Sequence, residues 1–288
     1  MSALMTVFRK ELADHFTSWR FIILFAIVIA VGIVAIYLDA QFIRQSVTET
    51  RFVFLQLYTT SGQALPLFTL FIAFFMPIVG ITLGFDAINS EWNNGTLSRL
   101  LSQPIFRDAV INGKFLAGVV TIAIMLTSMV MLVAGVGLRM IGVPPSSEEA
   151  IRLLSFLVMS IVYGAFWLGL GILFSIFFRR VATSALASIA VWMLCIALFV
   201  FPPFFPGVGG VIANIMRVSP IMLFQQIITM ILIPSARLLG QAMQTPSPLS
   251  VGQSLILVWP HLVSLIALTV ICFAISYIRF MREEIRST

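Results

Sequence analysis

Charged residues are scarce along this sequence. Asp, Glu, Lys and Arg make up 10% of its 288 residues, whereas hydrophobic residues make up 60%. A soluble domain usually carries about 25% charged residues. The scarcity excludes an ordinary soluble domain. Because long uncharged runs recur along the chain, we predict an all-α integral membrane protein that crosses the bilayer several times.

Cysteine, histidine and catalytic motifs are also nearly absent. Cys195 and Cys272 both lie in apolar runs, where buried free thiols are expected rather than a disulfide or a metal site. The chain has no GxxxxGK[ST] loop to hold a nucleotide, and no HExxH motif. We therefore predict no catalytic residue, no metal site and no cofactor in this chain, and no ATPase activity of its own.

Apolar runs of spanning length predict six transmembrane helices, at residues 21–38, 66–85, 115–138, 153–178, 181–201 and 255–278. The first run is long and no small-residue cleavage site follows it, so it is interpreted as a span and not as a removable signal. Glycines in the second and fourth spans are expected at close helix contacts; they are Gly80, Gly84, Gly164, Gly169 and Gly171.

Two further segments are apolar but do not fit a span. Residues 4–19 predict an amphipathic helix in the membrane interface, with Phe8, Leu12 and Phe16 on its apolar face; the alternative is an extension of the first span. Residues 202–250 are broken by prolines and contain an apolar run of only about 15 residues, a length that favours a re-entrant or external helix.

The distribution of basic residues predicts the orientation. If both termini face the cytoplasm, eleven of the seventeen Lys and Arg residues lie in the inside segments and six lie outside. Basic residues are enriched in cytoplasmic loops. The charge is spread over loops and tails, so it indicates membrane orientation rather than nucleic-acid binding.

A polar island at residues 86–112 separates the second and third spans. Asn93-Asn94-Gly95 predicts a helix end and a turn, and Thr96 can cap a short helix that ends before Pro104. Leu97, Leu100 and Leu101 share one face of that helix. It is either a docking element for a soluble partner or a solvated loop whose leucines touch the lipid headgroups.

Two other classes of membrane protein remain as alternatives. A secondary transporter usually keeps ionisable residues at mid-membrane, whereas the predicted spans contain no Asp, Glu, Lys or Arg. A structural membrane anchor would have no need of an amphipathic cytoplasmic helix. Both alternatives are therefore less favoured than a chain that is driven by a partner outside the bilayer.

The polar island resembles the signature of ABC-2 type permeases, the membrane subunits of a class of ATP-binding-cassette exporters. The resemblance is carried by Glu91, Gly95-Thr96-Leu97, Pro104, Arg107 and Gly113-Lys114-Phe115. Residues 9–12 and 174–184 resemble other parts of the family, and residues 218–224 resemble its NosY-like branch. The resemblance covers essentially the whole chain. It departs at Trp92-Asn93-Asn94, where relatives often carry charged residues.

The resemblance implies a single ABC-2 type transmembrane domain over residues 1–288, with the architecture of type V exporters. Residues 97–103 would be a coupling helix in a groove of a separate ATPase, and residues 4–19 would be the connecting helix. The ATPase-coupling residues would be Glu91, Gly95, Thr96, Leu97, Leu100, Leu101, Arg179 and Arg180.

The resemblance also implies partners. We expect two copies of an ATPase that binds ATP and Mg, a second copy of this chain, the lipid bilayer and an extracytoplasmic protein as a further candidate. Ser184 and Ser188 in the small-residue part of the fifth span are candidates for the dimer contact or the pathway. The expected location is a prokaryotic cytoplasmic membrane, and the expected function is to convert ATP hydrolysis into export, signalling or force transmission.

Overall fold

The computed structural model describes residues 3–45, 54–55, 58, 67–95, 106–200, 210, 216–232 and 249–282. All the regular secondary structure within these residues is helical. The helices are α1 (Ala3–Thr17), α2 (Trp19–Gln45), α3 (Leu67–Gly84), α4 (Asn89–Asn93), α5 (Arg107–Ile141), α6 (Ser147–Phe177), α7 (Val181–Val200), α8 (Pro220–Leu232) and α9 (Val251–Arg282).

Six of the described helices are long and apolar enough to cross a membrane. They are α2, α5, α6, α7, α9 and the stretch from α3 through α4. The expected all-α architecture with six spans is thereby confirmed. At about 1.5 Å per residue, the 13 residues of α8 extend only about 20 Å, which is too short for the hydrocarbon core.

Four of the spanning helices begin earlier than the sequence predicted, and the difference is largest for α5 and α6. α5 starts at Arg107, because Phe106 is extended and the helix continues from there without a break. Residues 107–112, expected in the coupling region, therefore form the first turns of α5. α6 starts at Ser147, where Ser146 and Glu149 form a reciprocal capping box. That S-x-x-E pattern is visible in the sequence and was missed.

The crossing of α3 over α6 lies at the centre of the bundle and depends on glycine, as predicted. A Cβ atom at Gly80 would lie 2.8 Å from the Gly164 carbonyl oxygen, and one at Gly84 would lie 2.6 Å from the Leu168 carbonyl oxygen. The backbones therefore approach too closely for a larger residue. Gly171 faces Gly84 across the same contact.

The short helix α8 packs inside the bundle against α3, α6, α7 and α9. The Phe224 ring stacks on the Tyr163 ring in the middle of α6, with centroids 4.0 Å apart. The Tyr163 hydroxyl donates to the Ala73 carbonyl oxygen of α3. Much of the predicted external segment 202–250 lies outside the described residues, but α8 itself lies within the bundle.

Candidate functional site

The polar island begins with a corner that the structure describes as far as Gly95. α3 ends at Gly84, residues 85–88 form turns, and α4 follows at Asn89–Asn93. Gly95 has φ +67°, a left-handed conformation that glycine adopts without strain. We call residues 85–95 the α4 corner. The residues that the sequence predicted to dock on a partner come directly after it.

A buried ionic cluster anchors the α4 corner to α1 and α5. We call Lys10, Glu11, Glu91 and Lys114 the inner cluster. Lys114 Nζ lies 2.9 Å from Glu11 Oε1 and 2.8 Å from Glu91 Oε1. Lys10 Nζ lies 3.0 Å and 3.4 Å from the same two oxygens. Glu11, Glu91 and Lys114 are buried, while the Lys10 side chain is 51% exposed.

The inner cluster shifts the ionisation of its α1 members. Burial alone would raise the pKa of the Glu11 carboxyl, but the charge and hydrogen bonds of Lys114 and Lys10 outweigh it and hold that pKa below its usual value. Burial acts to lower the pKa of Lys10, but its contacts with Glu11, Glu91 and Asp14 raise it overall. The charged forms of both residues are therefore favoured in the folded protein.

His15 extends the contact between α1 and α5. Its Nδ1 atom lies 3.0 Å from the Thr121 Oγ1 atom, and the Thr121 hydroxyl donates to the Ala117 carbonyl oxygen. Since the single hydroxyl proton is used there, Nδ1–H of His15 must be the donor to Thr121. Burial lowers the pKa of His15, which favours this neutral tautomer.

The other side of the α4 corner is held by the region where α6 ends and α7 begins. The Ser175 hydroxyl accepts hydrogen bonds from the backbone N–H groups of Ile88 and Asn89. It thereby caps α4, whose own N-cap residue supplies no side-chain cap. The Asn89 side chain donates to the Phe178 carbonyl oxygen, and the Ser184 hydroxyl donates to the Phe85 carbonyl oxygen.

Two arginines complete the attachment of the α4 corner. The Arg179 guanidinium lies 4.9 Å from the centroid of the Trp92 ring, and the Arg179 carbonyl oxygen accepts from the Asn93 side chain at 3.0 Å. Arg20 of α2 forms an ion pair with Asp86. The corner is thus joined by polar contacts to α1, α2, α5, α6 and α7.

The structure covers only part of the predicted coupling set. Glu91 lies in the inner cluster, Arg179 lies on the α4 corner, and Arg180 is exposed beside it. Gly95 ends the α4 corner. The other four predicted residues lie outside the described residues; they are Thr96, Leu97, Leu100 and Leu101.

The predicted connecting helix is α1, which packs against α5. It buries Val7 and Glu11, and a Cβ atom at Gly113 would lie 2.8 Å from the Val7 side chain. Phe8 and Leu12 are half-buried and Phe16 is exposed. The helix therefore turns an acidic residue toward the protein and keeps part of its aromatic surface outside.

Ser184 and Ser188, the candidates for the dimer contact or the pathway, lie against their own chain. Both have 0% exposure within the single chain. The Ser184 hydroxyl donates to the Phe85 carbonyl oxygen and holds α7 to the α4 corner, whereas the Ser188 hydroxyl donates to the Ser184 carbonyl oxygen within α7. Leu186 and Leu194 are exposed on other faces of α7.

Sequence reasoning gave no role to several residues of the site, namely Glu11, Lys114, Asn89 and Ser175. A signal did exist for two of them. Glu11 and Lys114 are oppositely charged residues on apolar helices beside the membrane, where a charge must find a partner. Lys114 was placed in a loop, because α5 was predicted to begin too late.

Comparison with known proteins identifies the family. The profile of the ABC-2 family of transporter proteins matches residues 5–285, nearly the whole chain. This chain belongs to the ABC-2 transporter family. A curated relative, the probable ABC transporter permease protein NosY of Pseudomonas aeruginosa, is 26% identical over 202 residues, or 69% of each chain. The chain is therefore a multi-pass permease subunit of an ABC transporter, a family that implies a partner ATPase.

Proposed function

We propose that this permease subunit converts ATP hydrolysis by a separate ATPase into movement of its membrane helices, and that the α4 corner is the lever. The observation that carries the proposal is the attachment of one short corner to five helices by ion pairs and hydrogen bonds. An element fixed in this way cannot shift alone. A force applied beside it therefore moves several spans together.

The coupling helix predicted at residues 97–103 follows the α4 corner directly. Leu97, Leu100 and Leu101 are the apolar anchors that would insert into the ATPase, since a few central apolar residues usually carry most of an interface's affinity. Arg179 and the exposed Arg180 provide a second contact on the same side of the membrane. The inner cluster then carries the displacement from Glu91 to α1 and α5.

The full assembly in this proposal has two permease copies and two ATPases, and the ATPases hold ATP and Mg. Both termini of the permease and the α4 corner face the cytoplasm of a prokaryotic cell, as the basic residues predict. The two membrane halves alternate between two arrangements whose populations are set by the ATPases. The output is export or the transmission of force to an extracytoplasmic protein.

The experiment separates docking from transmission. The permease is co-expressed with its partner ABC ATPase, purified by a tag on the permease and placed in nanodiscs. Replacing both Leu100 and Leu101 with Asp would bury unpaired charge, so the ATPase should be lost from the complex. Glu91→Gln should retain the ATPase but change the permease's effect on ATP turnover.

A matched control is Asp108→Asn, which removes an acidic residue near the same end of α5 but outside the inner cluster. This variant should behave as wild type in both measurements. Normal recovery of the ATPase by the double-Asp variant would contradict the docking role. Wild-type ATP turnover in Glu91→Gln would contradict the lever.

A further inference from the structure

At the end of the bundle opposite the α4 corner, several connections converge on the first turns of α6. The Glu149 carboxylate accepts from Ser146 through Oε2, at 2.8 Å from the backbone nitrogen. Its Oε1 atom accepts from the backbone nitrogens of Phe54 and Leu55, at 2.9 and 3.2 Å. Glu149 therefore ties the segment between the first two spans to the start of α6.

Arg152 makes a second set of ties one turn further along α6. Its Nη1 atom donates to the Ile231 carbonyl oxygen at the end of α8 and to the Ser254 hydroxyl of α9, at 2.8 and 3.1 Å. Its Nη2 atom donates to the Leu249 carbonyl oxygen and to Glu148, at 2.6 and 3.0 Å. We call Glu148, Glu149 and Arg152 the outer cluster.

The choice of arginine at this position has a physical reason. The Arg152 side chain is 1% exposed, and burying a charge is costly unless it is paired and hydrogen-bonded. Its planar fork presents donors in fixed directions and reaches acceptors on α8 and α9 at the same time, whereas an ammonium group is a compact point charge without that fixed spread. The cation also lies at the C-terminal end of α8, where the helix dipole favours positive charge.

α8 depends on this tie. Among the described residues, the bond from Arg152 to Ile231 is the hydrogen bond that joins α8 to another helix; its other contacts are apolar, such as Phe224 on Tyr163. The Gln225 Nε2 atom on α8 is buried without a hydrogen-bond partner. An unpaired buried amide costs free energy, so the packed position of α8 is less stable than it would be if this amide were hydrogen-bonded.

We propose that Arg152 is a positioning residue that holds α8 against α6 and α9, so that the position of α8 follows the first turns of α6. When the start of α6 shifts, the ties to Ile231, Leu249 and Ser254 are broken or carried along together, and α8 leaves its packed position. This proposal rests on the proposed function, because the start of α6 shifts only in a chain whose helices are moved.

A native cysteine reports the position of α8. The Cys195 thiol on α7 is buried and lies beside the hydroxyl of Ser219, the residue that precedes α8. With Cys272 replaced by Ser, Cys195 is the only thiol, and its reaction rate with N-ethylmaleimide measures how often the inner end of α8 moves away. The rate is followed by intact-protein mass spectrometry on the permease with its ATPase in nanodiscs.

Arg152→Met should raise the labelling rate of Cys195 by about tenfold or more. Charge-assisted hydrogen bonds are stronger than neutral ones, and their loss favours the state in which α8 has left its packed position. Arg152→Lys keeps the charge but not the fork, so its rate should lie between wild type and Arg152→Met. Ser254→Ala removes one acceptor and should have a smaller effect. The matched control is Arg139→Met, at the exposed outer end of α5, which should label as wild type.

The outcomes separate the two proposals. Equal rates in wild type, Arg152→Lys and Ser254→Ala overturn the positioning role, even if Arg152→Met fails to fold. Graded rates support it. If the rates are graded but trapping the ATPase with ATP and vanadate never changes the wild-type rate, Arg152 still positions α8, whereas ATP-driven movement of the permease is contradicted.

Discussion

The two ends of the bundle are held by ionic clusters of different construction. The inner cluster pairs side chains with side chains, and the Lys10 side chain is 51% exposed. In the outer cluster the Arg152 side chain is 1% exposed, and it bonds mainly to backbone carbonyl oxygens and a hydroxyl. Lys10 therefore leaves one side of the inner cluster open to solvent and salt, whereas in the outer cluster the cation is closed to solvent and the partly exposed member is Glu148.

The difference fits two different tasks. An element that receives a partner's force needs firm attachment to several helices, and the α4 corner has it. An element that is positioned by a neighbouring helix needs one strong tie and otherwise apolar contacts, and α8 has them among the described residues. α6 joins the two ends, because it carries Ser175 at one end and Arg152 at the other. The glycine crossing holds α6 tightly against α3 between them.

The largest expected effect comes from removing the buried cation of the inner cluster. Lys114→Met leaves Glu11 and Glu91 buried with less compensation, which typically costs about 3–5 kcal/mol. The melting temperature in detergent should fall by many degrees. Lys10→Met, at the exposed position of the same cluster, should cost no more than about 1 kcal/mol. Equal losses in the two variants would contradict the burial argument.

The next effect sharpens the claim that the glycine crossing links the two ends rigidly. Gly84→Ala places a Cβ atom 2.6 Å from a backbone oxygen of α6. The helices must separate, at a cost of about 1–3 kcal/mol. Gly135→Ala is the matched control, since a Cβ atom there meets nothing within 4 Å. It should leave the melting temperature unchanged or raise it slightly, because alanine favours the helix.

A smaller effect is expected at the end of the α4 corner. Gly95→Val forces a β-branched residue into φ +67°, which costs on the order of 1–2 kcal/mol. Gly95→Asn should cost less, because asparagine tolerates this conformation. The measurement is the amount of ATPase that co-purifies with the tagged permease. If the valine variant recovers as much ATPase as the asparagine variant, strain at this turn is contradicted.

The smallest effect distinguishes the two ends of the bundle by pH. The pKa of His15 is lowered by burial, so the unfolded chain binds a proton below about pH 6.5 that the folded chain resists. Packing of α1 should weaken as pH falls through that range, and Glu11 adds a further loss at lower pH, below its unfolded pKa of about 4.5.

Hydrogen exchange checks this prediction. Protection of α1 should drop between pH 7.5 and 5.5 after correction for the intrinsic rate, while protection at the start of α6 should not change. His15→Gln should remove most of the pH effect on α1. A pH effect of similar size at the outer cluster would mean that the two ends do not differ as described.

Much of the fold could be predicted from the sequence because hydrophobic length and glycine spacing are local signals. The six spans, the short α8 and the Gly80 and Gly84 contacts were all visible in that way. The start of α5 at Arg107 was not, because charged residues in the first turns resemble a loop in composition. Lys114 and Arg152 were placed outside the helices for the same reason.

The candidate site was harder to predict because it is assembled from distant parts of the chain. Glu91 was singled out, but its partners Lys10 and Lys114 lie 81 and 23 residues away. Ser184 was a candidate for the dimer contact or the pathway because of its small size, and its bond to Phe85 within the chain was not foreseen. Small residues show that helices approach closely; they do not show which helix approaches.

The most direct test of the central claim is a measurement of the distance between the outer ends of two permease copies. A spin label at Ala150, exposed at the outer end of α6, reports the separation of two permease copies in nanodiscs with the ATPase bound. The account predicts that trapping with ATP and vanadate changes this distance in wild type, and that Glu91→Gln reduces the change while the ATPase stays bound. An undiminished change in Glu91→Gln would contradict transmission through the α4 corner.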